Sequence, residues 1–526
     1  RLAFSVDRIG KNQLEHAPTT TPEQALRGKV AGVRIVKGSG QPGTVAAVQM
    51  RGAKSINSLN RASGPLYIVD GVILGSSTVD LDPENIESIE VVKGAAGSSL
   101  YGSRAANGIV QITTSRGSGL PSGETRVSIR NEYGSSSLMN EINVSKKHSF
   151  KVDPSRPDSP WVNYAGARVG RTSRVLDTLW RIGPKGPVAN GFTTFRDKDY
   201  VLPLPNGRGE LYNQMSEFFT GGEFYTNLIS VSHRAQYTNF YIALTNRREA
   251  GIVAGNNGYG IQTLRANVDH EFIKGLDLSF SGLHSSSKRA DFGGNNFFAL
   301  TFMPPDVDLR APNSDGQPFN ILPEPASLES NPLYATHYRE VEQKRKRTLG
   351  NLTMKYKPLD FFDIEGNMSY DRTDENNSDY TPRGYKTVNP LGASTGTRII
   401  SDGGSQAING SFTASLNYDF GDLSTRTKVR YLFEDTKGTF ENGAGDNFAI
   451  AEIQSLSVTT TNWRVSSSQT QVKSDGYSFI TGLDYQGKYI ADFLIRNDGS
   501  SLFGTNNRRA TYYRVSGAYR IAQEPW

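Results

Sequence analysis

From residue 124 onward the chain repeats one pattern: apolar and polar residues alternate with period two over segments long enough to cross a membrane as strands. Leu276, Leu278 and Phe280 alternate with Asp277, Ser279 and Ser281. Leu352, Met354 and Tyr356 alternate with Thr353, Lys355 and Lys357. Phe362, Ile364, Gly366, Met368 and Tyr370 alternate with Asp363, Glu365, Asn367, Ser369 and Asp371, and the run Phe412–Phe420 repeats the pattern. Successive side chains on a strand point to opposite faces, so each segment has one apolar and one wet face. Soluble strands average ~5–6 residues, whereas a tilted membrane strand needs ~9–11. Tyr and Phe gather near the segment ends, where an interfacial girdle places them. Periodicity alone leaves a large β-sandwich open as the alternative.

Connections sharpen the choice. Short turns precede strands at Lys274-Gly275, Pro358-Leu359-Asp360, Gly421-Asp422 and Gly487-Lys488. Long polar stretches, roughly 140–222, 290–335, 372–403 and 437–470, are expected as loops on the opposite rim. Short turns on one rim and long loops on the other are the mark of an outer-membrane barrel.

Residues 1–117 read differently. Thr21-Pro22-Glu23 opens a helix, with a capping hydroxyl and Pro in the first turn. Val30–Val36, Ala46–Arg51, Leu66–Val69 and Ile109–Thr114 read as strands. Pro83–Ile89 and Ala95–Tyr101 read as helical, with Glu90–Val92 extended between them. Interleaved elements of this kind make a small α+β domain. Residues 118–123 (SGLPSG) are a linker by composition.

Composition narrows the chemistry. The 526 residues contain no Cys, which excludes a disulfide scaffold and thiolate metal or iron–sulfur sites. The six His, at 16, 148, 233, 270, 284 and 337, have no metal-ligand spacing. Mean hydropathy is −0.48 and no run approaches the ~18 apolar residues of a membrane helix. The 24 Tyr and 25 Phe argue against general disorder. A net charge of +6 is mild for this length. The densest basic run, Lys344-Arg345-Lys346-Arg347, lacks interleaved aromatics and reads as a solvated strand end near phosphate head groups or a loop, so no nucleic-acid partner is expected. Gly38-Ser39-Gly40-Gln41-Pro42-Gly43 fits a dinucleotide fingerprint, but Pro42 and the following strand make it a tight turn. No catalytic triad, phosphate loop or carboxylate pair can be argued, so catalytic, cofactor and metal residues are expected to be none.

The first domain carries a resemblance. Ala25-Leu26-Arg27-Gly28-Lys29-Val30-Ala31-Gly32-Val33 is followed by Ser39-Gly40-Gln41-Pro42-Gly43 and Met50-Arg51-Gly52. Pro65-Leu66-Tyr67-Ile68-Val69-Asp70-Gly71-Val72, then Ile86–Gly94 and Leu100–Val110 complete the series. In this fixed order the blocks closely resemble the plug domain of TonB-dependent outer-membrane transporters of the SusC/RagA branch. Arg496-Asn497-Asp498-Gly499-Ser500-Ser501-Leu502-Phe503-Gly504 and the following Val515-Ser516-Gly517-Ala518-Tyr519 resemble that family's mid-barrel region.

The resemblance implies an antiparallel membrane β-barrel with an N-terminal α+β plug in its lumen. The division is 1–117 plug, 118–123 linker and 124–526 the N-terminal part of the barrel. Family barrels have ~22 strands, and about a dozen candidates are counted here, so roughly the second half is expected to be absent. Trp526 matches the aromatic terminus of such barrels only superficially. The start RLAFSVDRIG has no signal-peptide core, and no TonB box or carboxypeptidase-regulatory-like domain is visible, so both ends read as cuts.

By resemblance the function is TonB-dependent import of an oligosaccharide or oligopeptide across a Gram-negative outer membrane of the Bacteroidetes type. The implied partners are a SusD-like lipoprotein, TonB with its ExbB–ExbD motor, and outer-membrane lipid and lipopolysaccharide. Plug-motif residues Arg51, Gly52, Asp70, Gly71, Glu90, Lys93, Gly102, Arg104, Asn107 and Gly108 are implied to be structural, the charged ones seating the plug in a polar lumen. Asn57, Asn60 and Arg61 are the substrate-facing candidates on a plug loop. Trp161, Trp180, Phe297, Phe298 and Tyr334 are loop aromatics able to stack on sugar rings or peptide side chains. Rival readings are a β-rich adhesin or envelope scaffold, and a siderophore or cobalamin receptor of the same architecture.

Overall fold

The structure is a computed structural model. It describes the chain apart from residues 1–5, 15–20, 53–63, 76–78, 94–100, 102–104, 106, 141, 143–149, 153–160, 164–179, 184–185, 190–211, 292–295, 304–307, 314, 322–329, 389–390, 505–507 and 525–526.

Twelve strands form one antiparallel meander from Thr125–Ser136 to Arg509–Tyr519, each hydrogen-bonded to the next in sequence. No pairing joins the first strand to the last among the described residues. The pleat sorts the side chains as the alternation requires. On Tyr259–Ile273, Thr263, Arg265 and Asn267 are buried while Leu264 is exposed. On Phe362–Thr381, Ser369, Asp371 and Thr373 are buried while Met368 is 59% exposed. The exposed apolar side chains, among them Ile229, Ile242, Phe280, Leu352, Phe412, Val429, Phe479 and Ile495, share the outer face. Phe272, Tyr356, Phe361, Tyr418, Phe420, Tyr485, Tyr489 and Tyr519 ring the rim that carries the short turns, and Tyr489 stacks on Tyr519 with centroids 5.0 Å apart. An apolar outer face with an aromatic girdle is a lipid-facing surface.

Two expected loops are mostly strand. Phe362–Thr381 and Thr397–Phe420 leave only 382–396 between them, and Leu423–Phe448 and Thr459–Tyr485 leave only 449–458. The longest, at 27 residues, rises roughly 60 Å at a ~45° tilt, about twice a bilayer core. Above the membrane both faces meet water, so the hydropathy alternation vanishes while the backbone ladder continues. Ser466-Ser467-Ser468-Gln469-Thr470 is an example, paired residue by residue with 438–442.

Inside the wall sits a five-stranded sheet of Val6–Gly10, Ile86–Val92, Ile109–Thr114, Leu66–Val69 and Val72–Ile73 in that spatial order. Leu66–Val69 runs parallel to Ile109–Thr114 and the remaining pairs are antiparallel. A hairpin of Val33–Val36 and Ala47–Met50 flanks it, and the glycine-rich 38–43 segment is the turn between those two strands. Thr21 accepts from the Gln24 N–H and caps the helical turn Pro22–Ala25, as its sequence dictates. The expected helix at Pro83–Ile89 is instead a single 3₁₀ turn, Pro83–Asn85, capped by Asp82 and running into strand. Ile86, Ile89 and Val91 are fully buried in the sheet, and that burial outweighs the local helix start. Most of the expected helix Ala95–Tyr101 lies outside the described residues.

The plug core gathers Ile9, Leu26, Val69, Ile86, Ile89 and Ile112, together with two wall residues, Leu283 and Leu349. Gly108, at φ +101°, packs so tightly that a Cβ would collide with Met50. Gly117 passes against the wall where a Cβ would meet the carbonyls of His233 and Phe240.

The lipid-facing assignment has a direct check. Met368→Arg, near mid-wall, is expected to lower stability by about 2–4 kcal/mol, and Asn376→Arg, above the apolar band, by about 0–1. Urea unfolding of the protein in lipid vesicles measures both.

Candidate functional site

A wall with lipid outside presents polar side chains to its lumen, and the plug is seated on them. At the centre, Asp70 ends the buried strand Leu66–Val69 in a left-handed conformation, φ 46°, which turns its carboxylate toward the wall. That carboxylate accepts from the Thr114 N–H at 2.9 Å and the Thr114 hydroxyl at 2.6 Å, and pairs with Arg265 of the wall. The Thr114 oxygen in turn accepts from Arg265 at 2.7 Å and from Asn267 Nδ2 at 2.9 Å. The hydroxyl thus uses its one donor and both lone pairs. The side chains of Asp70 and Arg265 are 1% and 2% exposed.

A second cluster lies higher. Arg347 grips Asp371 with two parallel bonds of 3.0 and 2.8 Å, and Asp371 accepts the plug's Gly75 N–H at 2.9 Å. Plug Asp80 lies 3.6 Å from Arg347 and accepts from Arg345 at 3.1 Å, and Arg345 also meets Glu375 at 3.3 Å. Arg347 has no exposed side-chain surface. Neutral contacts fill the gaps. Asn351 donates to the Asp70 carbonyl at 2.8 Å, Asn409 to the Ile73 carbonyl at 3.1 Å, and Tyr241 to Asn85 at 2.7 Å. Arg116 reaches Ser281 at 2.7 Å and pairs with Asp269, and Glu84 pairs with Arg130. At the junction, Arg234 holds the carbonyls of Ser118 and Leu120 at 3.0 and 2.8 Å, fixing the segment between plug and wall.

Of the residues singled out from sequence, Asp70 and Gly71 lie at the centre of this interface. Glu90 and Lys93 pair inside the plug, with Arg8 at 3.7 Å and with Asp7, rather than with the wall. Arg51 and Gly52 are exposed turn residues at φ 55° and 92°. Asn107 precedes Gly108, whose carbonyl accepts from Leu66 at 2.9 Å. Gly102, Arg104, Asn57, Asn60 and Arg61 lie outside the described residues. Tyr334 is buried, packed at a tilt against Tyr338 and edge-on to Tyr385, and accepts the Lys386 N–H at 2.9 Å, so it builds a loop core rather than a stacking surface. Phe298 is 54% exposed. The side chains of Trp161, Trp180 and Phe297 lie outside the described set. Sequence reasoning missed Asp80 and Arg265, and the solvated strand end it expects at 344–347 is corrected at Arg345 and Arg347, which turn into the interface. Their signal was phase: each wall Arg occupies the lumen-facing parity of its strand. Among the described residues no group of His, Cys, Asp or Glu is placed to hold a metal.

Residues 1–109 match the family described as TonB-dependent Receptor Plug Domain. Residues 1–109 thus match a plug domain, and the chain as a whole resembles the plug and wall of SusC/RagA-type TonB-dependent receptors. The chain is 23% identical over 545 residues to TonB-dependent receptor P26 of Formosa agariphila, covering 99% of this chain and 49% of that protein. It is 35% identical to TonB-dependent receptor SusC of Bacteroides thetaiotaomicron over 124 residues, which cover 22% of this chain and 12% of SusC. In fold it is similar to a structure of the RagAB peptide importer in its closed-closed state. The TM-score is 0.78 and the identity 21%, over 100% of this chain and 58% of that one. Its similarity to the ferric citrate transporter FecA is weaker, with TM-score 0.56, 12% identity, and coverage of 98% of this chain and 59% of that one. The chain spans about half the length of the curated relatives that it matches end to end. Proteins of this family are outer-membrane β-barrels and receptors rather than enzymes.

Two outcomes follow from the interface. Arg265→Gln leaves the Asp70 carboxylate buried without its cation and should weaken plug seating by about 3–5 kcal/mol. Adding Asp70→Asn should recover part of that loss, read from the urea concentration at which bilayer conductance rises. Equal loss in single and double variants would contradict the pairing.

The other outcome concerns a cavity of about 250 Å³ on the plug–wall seam, lined by Glu23, Asp80, Arg247, Tyr259 and Arg345. Glu23 is 2% exposed and its Oε1 has no hydrogen-bond partner. Burial pushes its pKa up from 4.5 to about 7. A raised folded pKa means that its contribution is complete below pH ~4.5 and is lost as pH climbs through 7. Glu23→Gln should therefore match the parent at pH 4 and exceed it at pH 8, by on the order of 3 kcal/mol. Thermal unfolding of the plug at the two pH values is the measurement.

Proposed function

We propose that this chain is the plug and leading part of the wall of an active outer-membrane importer for an oligomeric nutrient, an oligosaccharide or an oligopeptide. In this reading residues 1–117 are the plug, 118–123 the linker and 124–526 the wall. Substrate is captured outside with a SusD-like lipoprotein as lid. TonB, driven from the inner membrane by the proton-motive force, pulls on a segment N-terminal to the plug and opens a path along the wall.

The observation that carries the reading is the manner of seating. The plug is bound to the lumen by buried ion pairs and hydrogen bonds, with few apolar contacts. Polar contacts of this kind are strong when complete, yet each group can be rehydrated once separated, so a pulled plug can leave the wall and return. The likeness to the RagAB peptide importer and to SusC supports the class of function. A surface adhesin has no need of a lumen filled this way, and the weaker likeness to FecA disfavours a siderophore receptor.

These 526 residues contain no Cys, so an introduced pair meets no competing thiol among them. A Cβ at Gly75 would lie 3.4 Å from the Cβ of Ala407, close to disulfide geometry. The Gly75→Cys, Ala407→Cys protein should lose uptake of labelled oligosaccharide or oligopeptide when oxidised and regain it on reduction. A protonophore should abolish the uptake that reduction restores. Undiminished uptake in the oxidised protein would refute movement of the plug at this contact.

A further inference from the structure

The arginines by which the wall seats the plug are met by carboxylates: Arg265 by Asp70, Arg345 by Asp80 and Arg347 by Asp371. One strand of the same wall departs from that rule. On Leu423–Phe448 the exposed apolar side chains Val429, Tyr431 and Phe433 lie on the outer face, so the pleat turns Arg426, Lys428 and Arg430 into the lumen. Further up, the same face buries Leu432 and Glu434. Successive cations stand about 7 Å apart along the strand. Among the described residues none of the three forms an ion pair, and Arg430 Nε is buried without a hydrogen-bond partner.

Their surroundings are neutral. The register sets Asn417, Ser415 and Thr413 beside them on one flank, and Gly482, Ile480 and Ser478 on the other. The carboxylates of this face stand off the column. Asp419 and Asp484 flank Ser424 at the rim of short turns, Asp492 lies one strand beyond at Gly482, and Glu434 accepts from Ser474 at 3.1 Å. Tyr101 of the plug lies against the upper end of the column, its ring centroid 5.7 Å from the Arg430 guanidinium. The plug stretch 93–108 around it contains no Asp or Glu. Another sector of the same rim has the opposite sign. There Asp269, Glu271, Asp277 and Glu365 line a cavity of about 340 Å³ with Lys355 among them, and Asp269 takes up Arg116. Lumen charge near the short turns is therefore sorted, negative on one sector and positive on the strand Leu423–Phe448. Like charges in a column repel one another, and no ion pair among the described residues offsets that cost. A channel wall of one sign does concentrate mobile ions of the other.

We propose that Arg426, Lys428 and Arg430 form a binding site for an anionic oligomer, one that carries carboxylate or sulfate groups along its chain. The three cations make charge-assisted bonds to those groups. Thr413, Ser415, Asn417 and Ser478 supply neutral hydrogen-bonding groups beside them, and the acidic sector turns the oligomer toward this strand. That the oligomer is cargo rests on the import reading above; that it binds here does not.

Isothermal titration calorimetry of the full-length protein in detergent, where the rim of short turns is open to solvent, tests the site with hexagalacturonate, hexaglutamate and maltohexaose as probes. The parent should bind the charged probes more tightly than maltohexaose. Tighter binding of hexagalacturonate assigns the anion to a saccharide, and tighter binding of hexaglutamate assigns it to a peptide. Arg426→Gln with Lys428→Gln and Arg430→Gln should bind the charged probes about tenfold more weakly or worse. Lys428→Arg should bind as the parent does, and so should Lys355→Gln, which removes a lumen-facing cation from the acidic sector. Added salt should bring the parent toward the triple variant. Unchanged affinity in the triple variant, or maltohexaose bound as tightly as the charged probes, would overturn the proposal. Heat-modifiable migration confirms that each variant is folded. Binding that the triple variant loses, with no uptake of the same probe by cells carrying the parent, would count against the import reading alone.

Discussion

The carboxylate of Asp70 is buried between plug and wall, and nearly everything in the molecule is arranged so that it can be. A buried charge is tolerated only when its partners are complete. Here they come from both bodies: Thr114 from the plug, Arg265 from the wall, and Asn267 to saturate the threonine. The wall cannot instead offer a greasy socket, because its apolar face is committed to lipid. Period two leaves the lumen with the polar half of every strand. Plug and wall therefore meet through Arg, Asp, Asn and Thr, with Leu283 and Leu349 as local exceptions.

That constraint also gives the interface its working character. The second cluster, Glu375–Arg345–Asp80–Arg347–Asp371, repeats the design one level higher, with the plug's Asp80 set between four wall residues. Such a chain fails group by group when strained, and water can replace each lost partner. Beside it, the cavity containing Glu23 leaves a carboxyl oxygen without a partner, so the seam is weaker there than at Asp70. A firm centre and a loose margin suit a plug that is tethered at rest and remodelled under load.

Much of this was legible before the fold was known. The alternation from 276 to 420 gave strands, faces and the short-turn rim, because in that region one face meets lipid. It failed above the membrane, at 372–381 and 459–470, where both faces are wet and the pattern has no cause. The helix expected at Pro83–Ile89 was misread for the converse reason: the cap is real, but burial of Ile86 and Ile89 decides the continuation. In the plug, Asp70 was singled out from a motif, yet its partner Arg265 lies 195 positions away and nothing local marks it except parity. The basic run at 344–347 was read as a solvated end. Its even residues fit that reading, while its odd residues belong to the core of the interface. Spatial pairing across a barrel is set by register and shear, which a single sequence does not display.

In the resting protein these carboxylates lock the plug to the wall. Hydrogen exchange at the Thr114 and Gly75 amides, which donate to Asp70 and Asp371, tests it most directly. Both should exchange as slowly as mid-wall amides at rest. Rapid exchange of both, with the wall amides still protected, would mean that the plug is not held by these contacts and would contradict it.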